Sequence, residues 1–240
     1  MALKMFNIRQ FASRSKIDIN CSIDNLAKTH NQVRYVKMLK KDNVKVVLVS
    51  GVAGTGKTLI GCSYAINGLI NKQIEKVIIT RPTISMNEEY GFLPGKIDEK
   101  LHNWLIPIYD SFSSVIPSTK VKEFIQQGKI EIAPLGFIRG RTFHNSCIFV
   151  DEAQNIDCIQ MKTLLTRIGY KSKMIIVGDP EQCDLKQQPN GMVDFINRLS
   201  VYPDDNYSIQ HIELTEEDIM RSDVVKKVLD IYNYKSNKLE

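Results

Sequence analysis

The chain contains the stretch Gly51-Val-Ala-Gly-Thr-Gly-Lys-Thr58, which matches the phosphate-binding pattern G-x-x-x-x-G-K-[ST]. An apolar run at residues 44–50 precedes it and predicts a buried strand, and a helical pattern over residues 57–71 follows. In such a strand–loop–helix unit, glycines let successive backbone N–H groups converge on one phosphate. The sequence therefore predicts a nucleotide triphosphate site at the loop residues Gly51, Val52, Ala53, Gly54, Thr55, Gly56, Lys57 and Thr58.

Short apolar runs alternate with helical patterns along the rest of the chain. Strands are predicted at residues 77–80, 130–133, 147–150, 173–177 and 209–214, and helices at 31–41, 119–127 and 222–234. Between about residues 83 and 129 the chain departs from this alternation, which we interpret as a helical insertion that includes a helix over 96–113. Strand–helix alternation favours a mostly parallel sheet between two layers of helices. The predicted fold is an α/β P-loop NTPase.

Composition limits the classes of protein to which the chain can belong. The chain has 240 residues, with 43% hydrophobic and 25% charged residues, which is typical of a globular protein. The net charge of +5 permits binding to nucleic acid. Five cysteines without a C-x-x-C pair, and four histidines without ligand spacing, favour neither a disulfide framework nor a zinc cluster. No apolar run reaches the roughly 18 residues of a membrane span, so we expect a cytoplasmic protein, in the host cytoplasm if it is viral.

Two adjacent carboxylates follow the apolar run that ends at Val150. Phosphoryl transfer needs a metal ion that neutralises phosphate charge and a positioned nucleophile. Because side chains alternate along a strand, Asp151 can face a Mg²⁺ ion that Thr58 also binds, while Glu152 reaches the attacking water. The alternative, a strand end whose acids only face solvent, is disfavoured by the phosphate loop upstream.

A third polar segment follows the apolar run at residues 173–177. It reads Gly178-Asp-Pro-Glu-Gln182, and Gln182 is placed to contact the γ-phosphate or the attacking water. Gly-Asp-Pro is also ordinary turn chemistry, so a plain turn is the alternative.

These three motifs, in this order, resemble motifs I, II and III of superfamily 1 helicases. Further motifs along residues 31–234 are similar to those of the PhoH-like protein family. They are Thr80-Arg-Pro82, Gly91-Phe-Leu-Pro-Gly95, Ile130-Glu-Ile-Ala-Pro-Leu135, Arg139-Gly-Arg-Thr142, Gln160-Met-Lys162, Leu165-Thr-Arg167 and Gly178-Asp-Pro-Glu-Gln-Cys-Asp-Leu185. The resemblance implies one RecA-like ATPase domain over residues 31–240, preceded by an N-terminal arm or irregular segment at residues 1–30.

The resemblance also implies ligands and site residues. ATP and Mg²⁺ are the expected cofactors, with Lys57, Glu152 and Gln182 in catalysis. Gln32 stands where such ATPases place a glutamine that reads the adenine edge, although an exposed helix glutamine is an equal alternative. Arg81 stands where the helicases contact RNA or single-stranded DNA, or else it caps its strand end. Arg139 and Arg141 are further candidates for contacting nucleic acid.

Helicases of this kind carry a second RecA-like domain that completes the ATP site with an arginine, and this chain shows one set of motifs. The resemblance therefore implies a homo-oligomer, which could be a hexamer, in which one copy supplies an arginine to the next. The candidates are Arg139, Arg141, Arg167 and Arg221. Arg221 resembles a family arginine that precedes histidine, but Ser222 stands there in this chain.

Two other functions compete with an ATPase coupled to nucleic acid. One is a slow ATP-dependent switch or scaffold without motor activity, which a missing arginine would favour. The other is a small-molecule kinase, which the water-activating position of Glu152 disfavours because kinases must exclude water.

Overall fold

The computed structural model describes residues 23–82, 106, 108–185, 189–203 and 207–220, together with the helical residues 224, 227 and 231. The predicted helix over 96–113 is described only at 106 and 108–113, and the predicted helix over 222–234 only at those last three positions. Residues 1–22 of the predicted arm and the candidate Arg221 lie outside the described residues. None of the described helices is long and apolar enough to cross a membrane.

A six-stranded sheet forms the centre of the fold. Its strands are β1 (Val46–Gly51), β2 (Lys76–Thr80), β3 (Ile130–Ile132), β4 (Ser146–Val150), β5 (Lys173–Gly178) and β6 (Ile209–Leu214). They lie in the order β3-β2-β4-β5-β1-β6, and every neighbouring pair is parallel. The predicted α/β fold is confirmed, and each predicted strand is present. β1, β4 and β5 are buried along their whole length, which explains why they read as unbroken apolar runs.

Helices cover both faces of the sheet. They are α1 (His30–Lys40), α2 (Lys57–Ile70), α3 (Ser118–Gln126), α4 (Cys158–Leu165) and α5 (Gly191–Val201). One core joins α1, α2, α3 and the helical residues 108–113 to one face of the sheet, around Val47, Val49 and Phe149. A second core joins α4 and α5 to the other face, around Leu48, Ile148 and Ile176. The alternation along β1 and β4 therefore divides their side chains between the two cores.

Apolar periodicity did not predict α4 and α5, although both helices carry start signals. Asp157 accepts from the backbone N–H of Gln160 at 2.8 Å, and the side chain of Gln160 accepts from the N–H of Asp157 at 3.3 Å. This pair is a capping box. Asn190 caps α5 by accepting from the N–H groups of Met192 and Val193. Capping signals would have located both helices where a short apolar pattern did not.

Two glycines permit close backbone approaches beside the strand ends. A Cβ atom on Gly51 would lie 2.0 Å from the carbonyl oxygen of Leu214, and the φ of Gly51 is +145°. A Cβ atom on Gly178 would lie 2.8 Å from the sulfur of Met192 and 2.9 Å from the side chain of Gln154. Larger residues at these positions would force the elements around the predicted site apart.

Candidate functional site

The carboxyl ends of β1, β4 and β5 meet at a crevice of about 340 Å³. Open α/β sheets bind ligands at this edge, and cavities of this size can hold a small ligand. The lining brings together three of the predicted motifs and includes Ser111, which none of the motifs contains. The residues that line it are Ala53, Gly54, Gly56, Lys57, Thr58, Leu59, Ser111, Asp151, Glu152, Gly178, Asp179 and Gln182.

The phosphate loop turns through left-handed backbone at Gly54 and Gly56, with φ values of 89° and 85°. Gly56 is the N-cap of α2, so the first N–H groups of this helix face the crevice. The Nζ atom of Lys57 donates to the carbonyl oxygen of Gly51 and, at 2.8 Å, to that of Val52. The loop thus places a helix N-terminus and the Lys57 side chain at the crevice, which suits a phosphate chain.

Thr58 and Asp151 approach each other at the crevice, with Thr58 Oγ1 donating to Asp151 Oδ1 at 3.4 Å. Burial raises the pKa of Asp151 to about 6, although the nearby Arg81 guanidinium opposes this shift. A buried carboxylate beside a hydroxyl is the oxygen donor set that Mg²⁺ prefers, and a bound cation would favour the ionised form. These two residues therefore fit the predicted metal site.

Glu152 lies outside the strand, in left-handed backbone with a φ of 54°. This turn sets the direction of the Glu152 side chain. The predicted strand alternation across Asp151 and Glu152 is therefore wrong. One carboxylate oxygen pairs with the Arg81 guanidinium at 3.0 Å, and the other accepts from Gln154 Nε2 at 2.6 Å. Non-glycine residues seldom adopt this conformation, and those that do are often found at functional sites.

Gln154 connects two of the motifs, and sequence reasoning assigned no role to it. It is buried, and its Oε1 atom accepts from the backbone N–H of Asp179 at 3.0 Å. Its Nε2 atom contacts Glu152 and the carbonyl oxygen of Gln182 at 3.4 Å. Gln182 lies in the turn Pro180–Gln182 and donates to Asp179 Oδ2 at 2.9 Å. The end of β4 is thereby tied to the segment that contains Gln182.

Gln32 is buried, so the alternative that it is an exposed helix glutamine is wrong. Its Nε2 atom donates to the carbonyl oxygens of Thr55 at 3.0 Å and Asp218 at 3.2 Å. Its Oε1 atom accepts from the backbone N–H groups of Lys28 and Thr29, which completes a capping box at the start of α1. In this conformation Gln32 fixes α1 to the phosphate loop, and contact with an adenine would require some of these bonds to break.

Only 13% of the Arg81 side chain is exposed, and this side chain lies 3.6 Å from Asp151 as well as next to Glu152. The other described arginine candidates lie away from the crevice lining. Arg139 is exposed. Arg141 pairs with Glu131 at 2.6 Å and stacks on the ring of Phe143. Arg167 donates to backbone carbonyls, including that of Arg141 at 3.2 Å.

The chain is similar in sequence to known proteins. The family model described as PhoH-like protein matches residues 26–233. The chain belongs to the PhoH-like family. It is 39% identical over 206 residues to a PhoH-like protein of Bacillus subtilis (strain 168), covering 86% of this chain and 63% of that protein. It is 34% identical over 211 residues to Protein PhoH of Escherichia coli (strain K12), covering 87% of this chain and 58% of that protein.

The solved structures support the fold. The large terminase from a thermophilic bacteriophage superposes with a TM-score of 0.51 at 12% sequence identity, covering 88% of this chain and 51% of that one. This likeness shows a P-loop NTPase fold. Family and fold together support an ATPase-type function. This chain spans about 60% of the length of its curated relatives.

Proposed function

We propose that this PhoH-like protein binds Mg·ATP in the crevice and hydrolyses it. One observation carries the proposal: the Thr58–Asp151 pair and Glu152 border the same crevice as the phosphate loop. A water-activating carboxylate beside a metal pair is the arrangement that hydrolysis of a phosphoanhydride needs. The residues of the three motifs therefore have separate tasks within one cavity.

Each side chain has a task that follows from its position. Lys57 and the loop amides would hold the phosphates, and Thr58 with Asp151 would hold Mg²⁺. When bound, the ion would neutralise phosphate charge. Glu152 would take a proton from the attacking water, and Gln182 would contact the γ-phosphate. Arg81 acts inside the site in this proposal, because its ion pairs orient both carboxylates.

The same geometry favours a second candidate, the slow ATP-dependent switch. Both oxygens of Glu152 already have partners, Arg81 and Gln154. A carboxylate oxygen that already accepts from Arg81 or Gln154 is not free to accept a proton from water, so proton transfer would require at least one partner to move. A nucleotide could then remain bound for long periods and control which partners the protein contacts.

Coupling to RNA or single-stranded DNA is part of the proposal. The net charge of +5 and the helicase-like order of the motifs support it. If the chain contacts phosphates through Arg139 and Arg141, binding will weaken steeply as salt concentration rises, because such contacts release counterions. Specificity for base sequence should be low.

We also propose that copies of the chain assemble with the site shared between them. An arginine supplied in trans is worth about 10³–10⁵ in rate in related phosphoryl-transfer systems. Mixing Glu152→Gln chains with Arg221→Ala chains should restore activity, because an intact arginine then meets an intact Glu152. Failure to recover activity despite proven mixing would contradict a site completed by Arg221.

Phosphate release from Mg·ATP tests the main proposal, measured alone and with RNA, single-stranded DNA or duplex DNA. We expect turnover that chelation of Mg²⁺ abolishes and that RNA or single-stranded DNA increases. Tight ATP binding with negligible turnover under all these conditions would favour the switch. Absence of ATP binding would contradict both candidates.

A further inference from the structure

The outer edge of the sheet lies at a larger cavity, of about 850 Å³, between α1 and α5. We call this cavity the β6 groove; it runs along Tyr207, Ser208, Ile209, Gln210 and His211. These residues include the amino-terminal half of β6, whereas the nucleotide crevice lies at the carboxyl ends of the strands. The β6 groove therefore lies along the lateral edge of the sheet, away from the crevice at the carboxyl ends of the strands.

Within the described residues, the outer side of the β6 backbone is free for pairing. Among the described residues, this strand pairs only with β1. The N–H of Val46 donates to the carbonyl oxygen of Ser208 at 3.0 Å. Since alternate residues of a parallel strand bond to the same neighbour, the backbone groups of Ile209 and His211 face the groove. An open edge of this kind can accept a further strand.

Apolar side chains form part of the β6 groove, and one residue that lines it carries an unsatisfied buried acceptor. Met38 of α1 and Phe195 and Leu199 of α5 line it. The Oε1 atom of Gln210 is buried and has no hydrogen-bond partner within the described structure.

The charged residues that line the β6 groove are all basic: Arg34, Lys37 and Lys41, from α1 and its C-terminal end, and Arg198 of α5. Arg198 is paired with Asp194 on its own helix at 2.8 Å. The other three residues thus give one wall a positive field. An occupant that complements this groove combines acidic side chains with apolar ones.

We propose that the β6 groove binds an acidic, apolar segment of a partner protein as an added parallel or antiparallel strand. The terminal segments of this chain do not suit it, because residues 1–22 and 232–240 each contain more Lys and Arg than Asp and Glu. Single-stranded nucleic acid would also suit a basic wall. It would gain nothing from an open strand edge, however, and the groove is mainly apolar.

The test uses a fluorescent peptide with alternating Glu and Val or Ile residues, and a matched peptide with Lys in place of Glu. We expect the acidic peptide to bind, more weakly at high salt, and the lysine peptide not to bind. Lys37→Glu should weaken binding by about three- to tenfold, since it replaces attraction with repulsion at the wall. Lys122→Glu, an equal charge change on α3, is the control and should leave binding unchanged.

Hydrogen exchange identifies the mode of binding. Bound peptide should slow exchange at the backbone amides of Ile209 and His211, which strand addition would pair. Both measurements are made without nucleotide, so they do not depend on the proposed ATPase activity. Lys37→Glu should keep wild-type ATP turnover, and equal thermal stability would show that it is folded.

Several outcomes would overturn the proposal. These are absence of acidic peptide binding, equal binding of the lysine peptide, or no effect of Lys37→Glu. Tight binding of an oligothymidylate that Tyr207→Ala abolishes would instead assign the groove to single-stranded nucleic acid. Self-association that Lys37→Glu weakens, without peptide binding, would assign it to a second copy of the chain.

Discussion

The crevice at the carboxyl ends of the strands and the β6 groove belong to one sheet, but they differ in how far their polar groups are paired. In the crevice, Glu152, Gln154 and Asp179 are joined to one another and to their neighbours by hydrogen bonds and ion pairs. In the β6 groove, the strand edge has no partner among the described residues, and the buried Gln210 oxygen has none either. The polar groups named in the crevice are thus paired with one another, whereas the described residues leave the β6 groove open.

This difference indicates how each region would respond to a ligand. A preorganised network needs little reorganisation when charge develops, which suits catalysis. An open edge with apolar walls gains main-chain hydrogen bonds and buried surface only when a partner arrives. Substitutions in the crevice should therefore change chemistry or stability strongly, and substitutions on the groove wall should change binding alone.

The largest expected effect on ligand binding concerns Lys57. Lys57→Ala would remove the proposed charge-assisted contact to phosphate, worth about 1.5–3 kcal/mol, so ATP affinity should fall by about 10- to 150-fold. Titration with a nonhydrolysable ATP analogue measures this. Lys72→Ala, an exposed lysine after α2, is the control. Equal affinities for ATP in both variants would remove Lys57 from the site.

The second prediction concerns the pH dependence that Asp151 confers. Because burial raises the pKa of Asp151 to about 6, the folded state holds a proton that the unfolded state releases at lower pH. Protonated Asp151 therefore contributes to the stability of the fold below about pH 4, near the ordinary pKa of an aspartate. This contribution is lost as pH rises through about 6. Asp151→Asn should thus be more stable than wild type at pH 7 by about 1–3 kcal/mol, without metal.

Denaturant unfolding of both proteins in chelator, at several pH values, measures this difference. The two proteins should converge towards pH 4. Mg·ATP should stabilise wild type and have much less effect on Asp151→Asn. If Asp151→Asn is less stable than wild type at pH 7 in chelator, the interactions of the ionised carboxylate contribute more to stability than its burial costs, and the prediction is wrong.

A smaller effect is expected for Gln32, whose four hydrogen bonds join α1 to the phosphate loop, to Asp218 after β6 and to its own N-terminal turn. Gln32→Ala should lower the free energy of unfolding by about 1–2 kcal/mol through loss of buried partners. Gln73→Ala, at an exposed position, should have little effect. If Gln32 reads adenine, the variant will lose preference for ATP over GTP; the observed bonding predicts that this preference is retained.

The smallest effect is expected in the β6 groove. Lys37 is exposed on its wall, so Lys37→Ala should change the free energy of unfolding by less than about 0.5 kcal/mol. Denaturant unfolding checks this value. A larger loss would mean that the groove wall contributes to the stability of the fold, and the contrast between the two regions would disappear.

The six strands could be predicted from the sequence because buried parallel strands appear as short apolar runs between turn residues. The phosphate loop and the acidic pair could be predicted because their chemistry needs fixed residue types at fixed spacing. The ion pair between Arg81 and Glu152 could not be predicted from the sequence. It joins the ends of β2 and β4, which lie side by side only in the fold. The left-handed backbone of Glu152 likewise has no signal in its residue type.

Sequence patterns could not predict the β6 groove, for a related reason. Its walls come from α1 and α5, which lie on opposite faces of the sheet and meet only around the edge strand. Because α5 was not predicted, Phe195 and Arg198 could not be placed opposite Lys37. The assignment of an edge depends on strand order, which apolar runs alone do not specify.

The most direct test of the proposed ATPase site measures ATP affinity and phosphate release on one preparation of Glu152→Gln. We predict affinity close to that of wild type and turnover lower by about 10²-fold or more, because the general base is lost. Glu181→Gln, an exposed acid in the neighbouring turn, should keep wild-type turnover. Wild-type turnover in Glu152→Gln would contradict the proposed site by placing the base elsewhere, and loss of ATP binding would make Glu152 a ligand of the nucleotide or its metal.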